Sequence, residues 1–199
     1  MKLSQAEIKL SELDADMAKL IAANGHVERD PREGFFPSLA RSIVGQQISV
    51  KAAAKILERF EAITEMDPGR TAALTEADAK TIGLSGQKYK YLRDLADHFV
   101  RDSMVFDHLD TLSDDEVVME LTKVKGIGIW TAQMFLMFTL VRPDVFAPGD
   151  RGLQLAIQRL YSLPEVPAPV ELEQIAAKWS PYRTLASYHL WHSLDNEPV

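Results

Sequence analysis

The chain of 199 residues contains no cysteine. Disulfides, thiolate zinc sites, iron–sulfur clusters and cysteine nucleophiles are thereby excluded together. It also lacks a surplus of positive charge: 22 Lys and Arg stand against 29 Asp and Glu, a formal net charge of −7. That sign is wrong for a general polyanion binder, so any nucleic-acid contact must come from a local basic patch or from backbone N–H groups. Long apolar runs are missing. The longest, Ile129 to Val141, is too short to span a bilayer and contains Gln133. The N-terminal MKLSQAEIKLSELDADMAKL is charged throughout and has no signal-peptide core, so a cytoplasmic protein with no membrane partner is expected. Strand-like alternation, repeats and low-complexity tracts are absent too. The histidines (His26, His98, His108, His189 and His192) show no metal-ligand spacing. His189 and His192 lie three apart on a predicted helix with no carboxylate to complete a site, which favours packing.

What is present is helical. The 46% hydrophobic content suffices for a core and argues against disorder. Apolar positions at helical spacing (Leu10, Leu13, Met17, Leu20, Ile21) predict one helix over 3–24, stopped by Asn24-Gly25. HVERDPREGFFP reads as a loop, Ser38 to about Val44 as a helix, and GQQIS as its interruption. Ser49 is placed to cap VKAAAKILERFEAI, and Thr75 to cap a short helix ending at IGLSG. QKYKYLRDLADHFVRD is amphipathic, with Tyr91, Leu92, Leu95 and Phe99 along it. Ser113 and Glu116 form a capping box before VVMELTKV. A buried helix is expected over Ile129 to Val141. After the loop RPDVFAPGD comes RGLQLAIQRLY, then the proline-rich LPEVPAPV and two helices over about 170–194. The fold class is all-α.

One stretch resists a purely structural reading. In LTKVKGIGIWTAQMF, Gly126 and Gly128 sit between two helices, where an interior glycine costs up to about 1 kcal/mol relative to alanine. A tight KGIG turn resolves this. Glycine supplies positive φ there, and the first N–H groups of the following helix stay unpaired at its positive dipole end. A phosphate oxygen fits such a site, with Lys123 and Lys125 adding Coulomb attraction and Ile127 anchoring the turn. The same glycines also suit a plain helix–turn–helix corner.

The wider pattern decides between them. LTKVKGIGIWTAQMFLMF followed by DVFAPGDRGLQLAIQRLY resembles the helix–hairpin–helix DNA glycosylases that carry a Gly/Pro-rich loop and a catalytic aspartate. SIVGQQISVKAAAKI, GLSGQKYKYLRDLA and KWSPYRTLASYHLWHSL are similar, in order, to the 3-methyladenine DNA glycosylase II branch, from about residue 35 to the C-terminus. The resemblance implies a two-lobed all-α fold with a cleft between lobes, one lobe over 36–142 and the other over 1–35 plus 143–199. A minimal form without the N-terminal β domain of some members is expected.

The resemblance also implies chemistry. Asp150 takes the catalytic position. A fixed carboxylate there stabilises positive charge on the sugar as the base departs, and can orient or deprotonate the attacking water. By position alone it is also a helix N-cap, and both roles are compatible. Gly149 departs from members with a second acidic residue there. Lyase relatives carry a lysine where this chain has Trp130, and an indole cannot form a Schiff base, so a monofunctional hydrolase is implied. Trp130 and Trp191 correspond to pocket aromatics suited to a flipped cationic purine of the 3-methyladenine or 7-methylguanine type. Met134 falls where some relatives have tyrosine. Gln47 corresponds to the residue that fills the space left by the flipped nucleotide, with Gln46 and Ser49 beside it. Gly86 and Lys88 resemble a second backbone clamp, and Lys125, Gly126, Ile127, Gly128 and Thr131 the hairpin's DNA contacts. Carbonyls of Thr122, Val124 and Ile127 would hold a monovalent Na+ or K+; no other cofactor is implied. The expected partner is duplex DNA containing alkylated bases, bound by a monomer. Alternatives are a non-catalytic binder of damaged or abasic DNA using the same hairpin, and a helical protein–protein module suited to the acidic charge.

Overall fold

A computed structural model describes residues 3–27, 30–32 and 34–194. Glu28, Arg29 and Glu33 of the predicted first loop lie outside the described residues. Thirteen α-helices occur among the described residues, with no strand, so the chain is all-helical. No helix of the described residues is long and apolar enough to cross a membrane. The chain divides into two compact units, one running up to Asp30 and resuming at Val141, the other spanning Pro31–Leu140.

The first unit holds α1 (Gln5–Leu13), α2 (Ala15–Asn24), α11 (Arg151–Leu160), α12 (Pro169–Ala176) and α13 (Arg183–His192). The single helix expected over 3–24 is two. Asp14 is extended (φ −150°) and its carboxylate accepts from the amides of Asp16 and Met17, which ends one helix and caps the next. Leu10, Met17, Ile21, Leu153, Ile157, Leu172 and Trp179 are wholly buried in the core. Each such aliphatic side chain contributes about 1.5–3 kcal/mol relative to exposure.

A buried polar cluster ties α1 to α13. Glu7, fully buried, accepts from the amides of Val27 (2.9 Å) and Ser4 (2.6 Å) and pairs with His26 Nδ1 (2.8 Å). His189 Nε2 stands 3.3 Å from Glu7 Oε1. Packing does explain His189, but against expectation a carboxylate faces it. Burial pushes Glu7 up, yet the hydrogen bonds outweigh this and hold it at about 2. Burial pushes His189 down to about 4 against the opposing charge of Glu7, leaving it neutral.

The second unit holds α3 (Phe35–Gly45), α4 (Val50–Thr64), α5 (Pro68–Ala72), α6 (Glu76–Ile82), α7 (Gly86–Arg101), α8 (Ser103–Phe106), α9 (Asp114–Leu121) and α10 (Ile129–Phe138). Its core is aromatic at one end: Phe36 meets Phe99 edge-on at 5.3 Å, and Phe99 meets Phe106 at 5.1 Å. The expected caps form, Ser49 accepting from Ala52 and Ser113 and Glu116 bonding reciprocally. Helix α3 starts earlier than expected because Pro37 sits in its first turn, where the missing N–H has no helical partner to lose. Helix α10 stops at Phe138 rather than Val141. The hydroxyl of Thr139, just past its end, bonds Ser38 Oγ at 2.6 Å, and Val141 is left-handed (φ 52°).

Candidate functional site

Helices α9 and α10 flank the glycine turn. Gly126 is left-handed (φ 86°), and a Cβ there would lie 2.2 Å from Cδ2 of Tyr91, so both backbone and space demand glycine. Gln87 donates to the Tyr91 hydroxyl at 2.6 Å, fixing that ring from its own helix. Ile127 is buried and anchors the turn, and its amide donates to Val124 at 3.1 Å. Gly128 is the N-cap of α10, brings no side-chain cap, and a Cβ there would meet nothing within 4 Å. The positive end of α10 therefore opens through bare backbone, as an anion site requires. Thr131, expected among the hairpin's DNA contacts, is buried.

Lys125 is exposed but engaged. Its amide donates to Asp94 Oδ2 at 2.9 Å and its ammonium to Oδ1 at 2.8 Å. Burial works against the Asp94 charge, but these bonds prevail and hold its pKa below the ordinary aspartate value. Lys125 thus braces the turn against α7, and Asp94 offsets the charge it was expected to offer to DNA.

The GQQIS segment joins this assembly. Gln46 Nε2 donates to the Gly126 carbonyl at 2.8 Å. Its neighbour Gln47 is exposed and left-handed (φ 58°), uncommon for a non-glycine residue and costing of order 1–3 kcal/mol. Ser49 is occupied as the cap of α4. An open pocket of about 210 Å³ borders this turn, lined by Gln46, Gln47, Ile48 and, from the start of α7, Ser85, Gln87, Lys88 and Tyr91. Gly86 is exposed, with no atom near where a Cβ would stand. Lys88 donates to the Val44 carbonyl at 2.7 Å, and burial lowers its pKa. On α10, Trp130 is partly exposed (37%), while Met134 one turn on is buried (3%).

The other unit carries the candidate catalytic loop. Asp150 is extended, buried to 7% exposure, and caps α11 by accepting from the Leu153 amide at 2.9 Å. Trp191, buried on α13, donates its indole Nε1–H to the same Oδ1 at 2.9 Å. Gly152 makes this possible: a Cβ there would lie 3.1 Å from both Asp150 Oδ1 and Trp191 Cδ1. Oδ1 of the carboxylate is thus held by the Leu153 amide and the Trp191 indole together.

A glycine hairpin and a braced Pro-Gly-Asp carboxylate in one all-helical chain can be set against known proteins. Residues 40–181 match the HhH-GPD superfamily of base excision DNA repair proteins. The chain belongs to this superfamily. It is 28% identical over 197 residues to DNA-3-methyladenine glycosylase 1 of Schizosaccharomyces pombe, covering 95% of this chain and 86% of that protein. The solved structure of the S. pombe 3-methyladenine DNA glycosylase Mag1 with abasic DNA matches at TM-score 0.83 and 28% identity, over 96% of this chain and 97% of that one. A DNA-3-methyladenine glycosidase from Bacillus halodurans matches at TM-score 0.86 and 32% identity, over 96% and 89%.

Within each unit the structure gathers the expected residues: Gln46 and Gln47 with the hairpin and Lys88, and Asp150 with Trp191. It also gives roles to residues for which the sequence pattern shows none. Gln87, Tyr91 and Asp94 occupy one face of α7 at i, i+4 and i+7, a spacing legible in the sequence. Gly152, two residues past the aspartate, was a visible signal too.

Proposed function

We propose that this HhH-GPD protein is a monofunctional DNA-3-methyladenine glycosylase of the type II branch. It would act as a monomer on duplex DNA, flipping alkylated purines and hydrolysing the N-glycosidic bond. The observation that carries this is the Asp150 carboxylate, buried at a helix N-terminus and pinned through Oδ1 by Leu153 and Trp191. A carboxylate so fixed reorganises little as cationic charge builds on the sugar, which is where electrostatic catalysis gains most. N3- or N7-methylation makes the purine a cationic leaving group, so no strong general acid is needed and an exposed indole, Trp130, suits it by stacking and cation–π attraction. The relatives' names, and abasic DNA in the Mag1 structure, support this substrate class.

The hairpin amides of α10 would grip a phosphate, and Gln47 would fill the gap left by the flipped nucleotide. The donor set there also suits a monovalent cation: the Thr122 and Ile127 carbonyls accept no hydrogen bond among the described residues, and Val124 accepts one. An ion held by these carbonyls would supply positive charge beside the phosphate. Trp130 in the lyase-lysine register excludes a Schiff base from that position.

The test is single-turnover base release from methylated duplex DNA with the products identified, alongside borohydride trapping. The expected result is free 3-methyladenine or 7-methylguanine, no trapped adduct, and a rate lost in Asp150→Asn while abasic-DNA binding persists. Undiminished release by Asp150→Asn overturns the mechanism, and a trapped adduct overturns the monofunctional assignment.

A further inference from the structure

The segment leading to Asp150 is fastened to α13 at two places. At the far end from Trp191, Arg183 grips Asp144: Nε donates to Oδ1 at 2.8 Å, and Nη2 donates to Oδ2 at 3.0 Å and to the Asp144 carbonyl at 2.8 Å. Ser180 Oγ donates to Oδ2 at 2.8 Å. Beside them Thr184, buried, accepts from the Val145 amide at 3.0 Å and donates to the Arg142 carbonyl at 2.6 Å, and its own amide donates to the Pro143 carbonyl at 3.1 Å. Burial works against the Asp144 charge, but the Arg183 and Ser180 bonds prevail and hold its pKa below the ordinary aspartate value.

From Arg183 to Trp191 is about 12 Å of helix at 1.5 Å per residue. The segment from Asp144 to Asp150 runs between the same two fastenings, the ion pair at one end and the Trp191–Asp150 bond at the other. Between them it is stiffened by its own turn: the Asp150 amide donates to Ala147 at 3.0 Å, and Gln154 Nε2 donates to the Pro148 carbonyl at 2.9 Å. Loop and helix form a closed frame. Bonds of this kind, bidentate and charge-assisted, specify geometry more tightly than point contacts.

We infer that Arg183 and Asp144 are positioning residues for catalysis, acting through the loop to set the Asp150 carboxylate and its bond to Trp191. The inference rests on Asp150 acting at the sugar. Displacement of a reacting group by about 1 Å costs roughly 100-fold in rate, so slackening one end of the frame is expected to act on the chemical step rather than on DNA affinity.

The test uses the full chain with Arg183→Ala, Arg183→Lys and Asp144→Asn. Single-turnover release is expected to fall about 10- to 100-fold in Arg183→Ala, with Arg183→Lys in between and abasic-DNA affinity unchanged. A second readout needs no turnover. The protein has three tryptophans, Trp130, Trp179 and Trp191, so 15N-labelled protein gives three indole N–H signals, assignable by single Trp→Phe variants. In Arg183→Ala the Trp191 signal should shift and exchange faster while the signal of Trp130, on α10 in the other unit, stays. In an Asp150→Asn background, Arg183→Ala should remove nothing further from the residual rate, since the frame acts through that carboxylate. A wild-type rate in Arg183→Ala, with the rate of Asp150→Asn strongly lowered, overturns the inference and leaves the catalytic reading standing. All three indole signals moving together also overturn it, since that marks general loosening. If Arg183→Ala does not fold, Asp144→Asn, which keeps the side chain's size, is judged by the same two readouts.

Discussion

Gly126→Ala places the sharpest demand on the hairpin. A left-handed φ of 86° costs an alanine roughly 1–2 kcal/mol. Its Cβ would also lie 2.2 Å from the Tyr91 ring, so the ring and its Gln87 partner must shift to admit it. Forcing such a shift in a packed site adds roughly 1–3 kcal/mol, for a sum of about 2–5 kcal/mol. At about 4 °C per kcal/mol for a unit of this size, Tm falls by roughly 8–20 °C. Abasic-DNA affinity should fall about tenfold, or about 1.4 kcal/mol, as the turn and its amides are displaced. Thermal unfolding of Gly126→Ala, Tyr91→Ala and the double variant completes the assay. With the ring removed, Gly126→Ala should cost only its backbone share, about 1–2 kcal/mol. An equal cost in both backgrounds would refute the claim that the ring contact enforces glycine, and an unchanged Tm in Gly126→Ala would refute the whole reasoning.

Three further outcomes follow from the geometry. Asp150→Asn retains an oxygen to accept from Leu153 and Trp191, whereas Asp150→Ala loses the cap (about 1 kcal/mol) and strands a buried indole N–H (about 1–3 kcal/mol). In denaturant melts the alanine variant should therefore be the less stable, and equal midpoints would contradict this. Trp191→Phe keeps a ring but removes one donor from the carboxylate, and base release should slow about tenfold, or about 1.4 kcal/mol in barrier; a wild-type rate would deny the bond a role. Stability should fall in acid. Unfolded, His189 takes up a proton near 6.5, but the folded site resists down to about 4, so Tm drops as pH falls through that window. Glu7, at about 2 when folded against 4.5, extends the loss below pH 4.5 in the same direction. A Tm independent of pH between 6.5 and 4 would rule out a neutral buried His189.

The helices were legible where a cap and an apolar period coincide, as at Ser49, Thr75 and Ser113. They were misread where one residue carries two meanings. Asp14 looks like a polar-face position inside a continuous stripe, yet it breaks and caps. Pro37 looks like a breaker, yet in a first turn it is harmless. The site divides along the same line. Gly126, Gly128 and Asp150 announce themselves because their demands are local: a positive φ, a bare amide edge, a cap. Pairings between distant residues were hidden, since nothing in local pattern joins Asp94 to Lys125, Asp150 to Trp191 or Asp144 to Arg183. In the sequence Tyr91 is one more position along an amphipathic helix, whereas its ring meets the one hairpin glycine that cannot be exchanged.

The most direct measurement of the central claim is single-turnover base release from methylated duplex DNA by the wild type and Asp150→Asn, with abasic-DNA binding recorded on the same preparations. The account predicts free alkylated purine from the wild type, and a rate lowered by roughly 100- to 10,000-fold in Asp150→Asn with binding retained. Tight binding with no released base from the wild type, or equal release from both proteins, would contradict it.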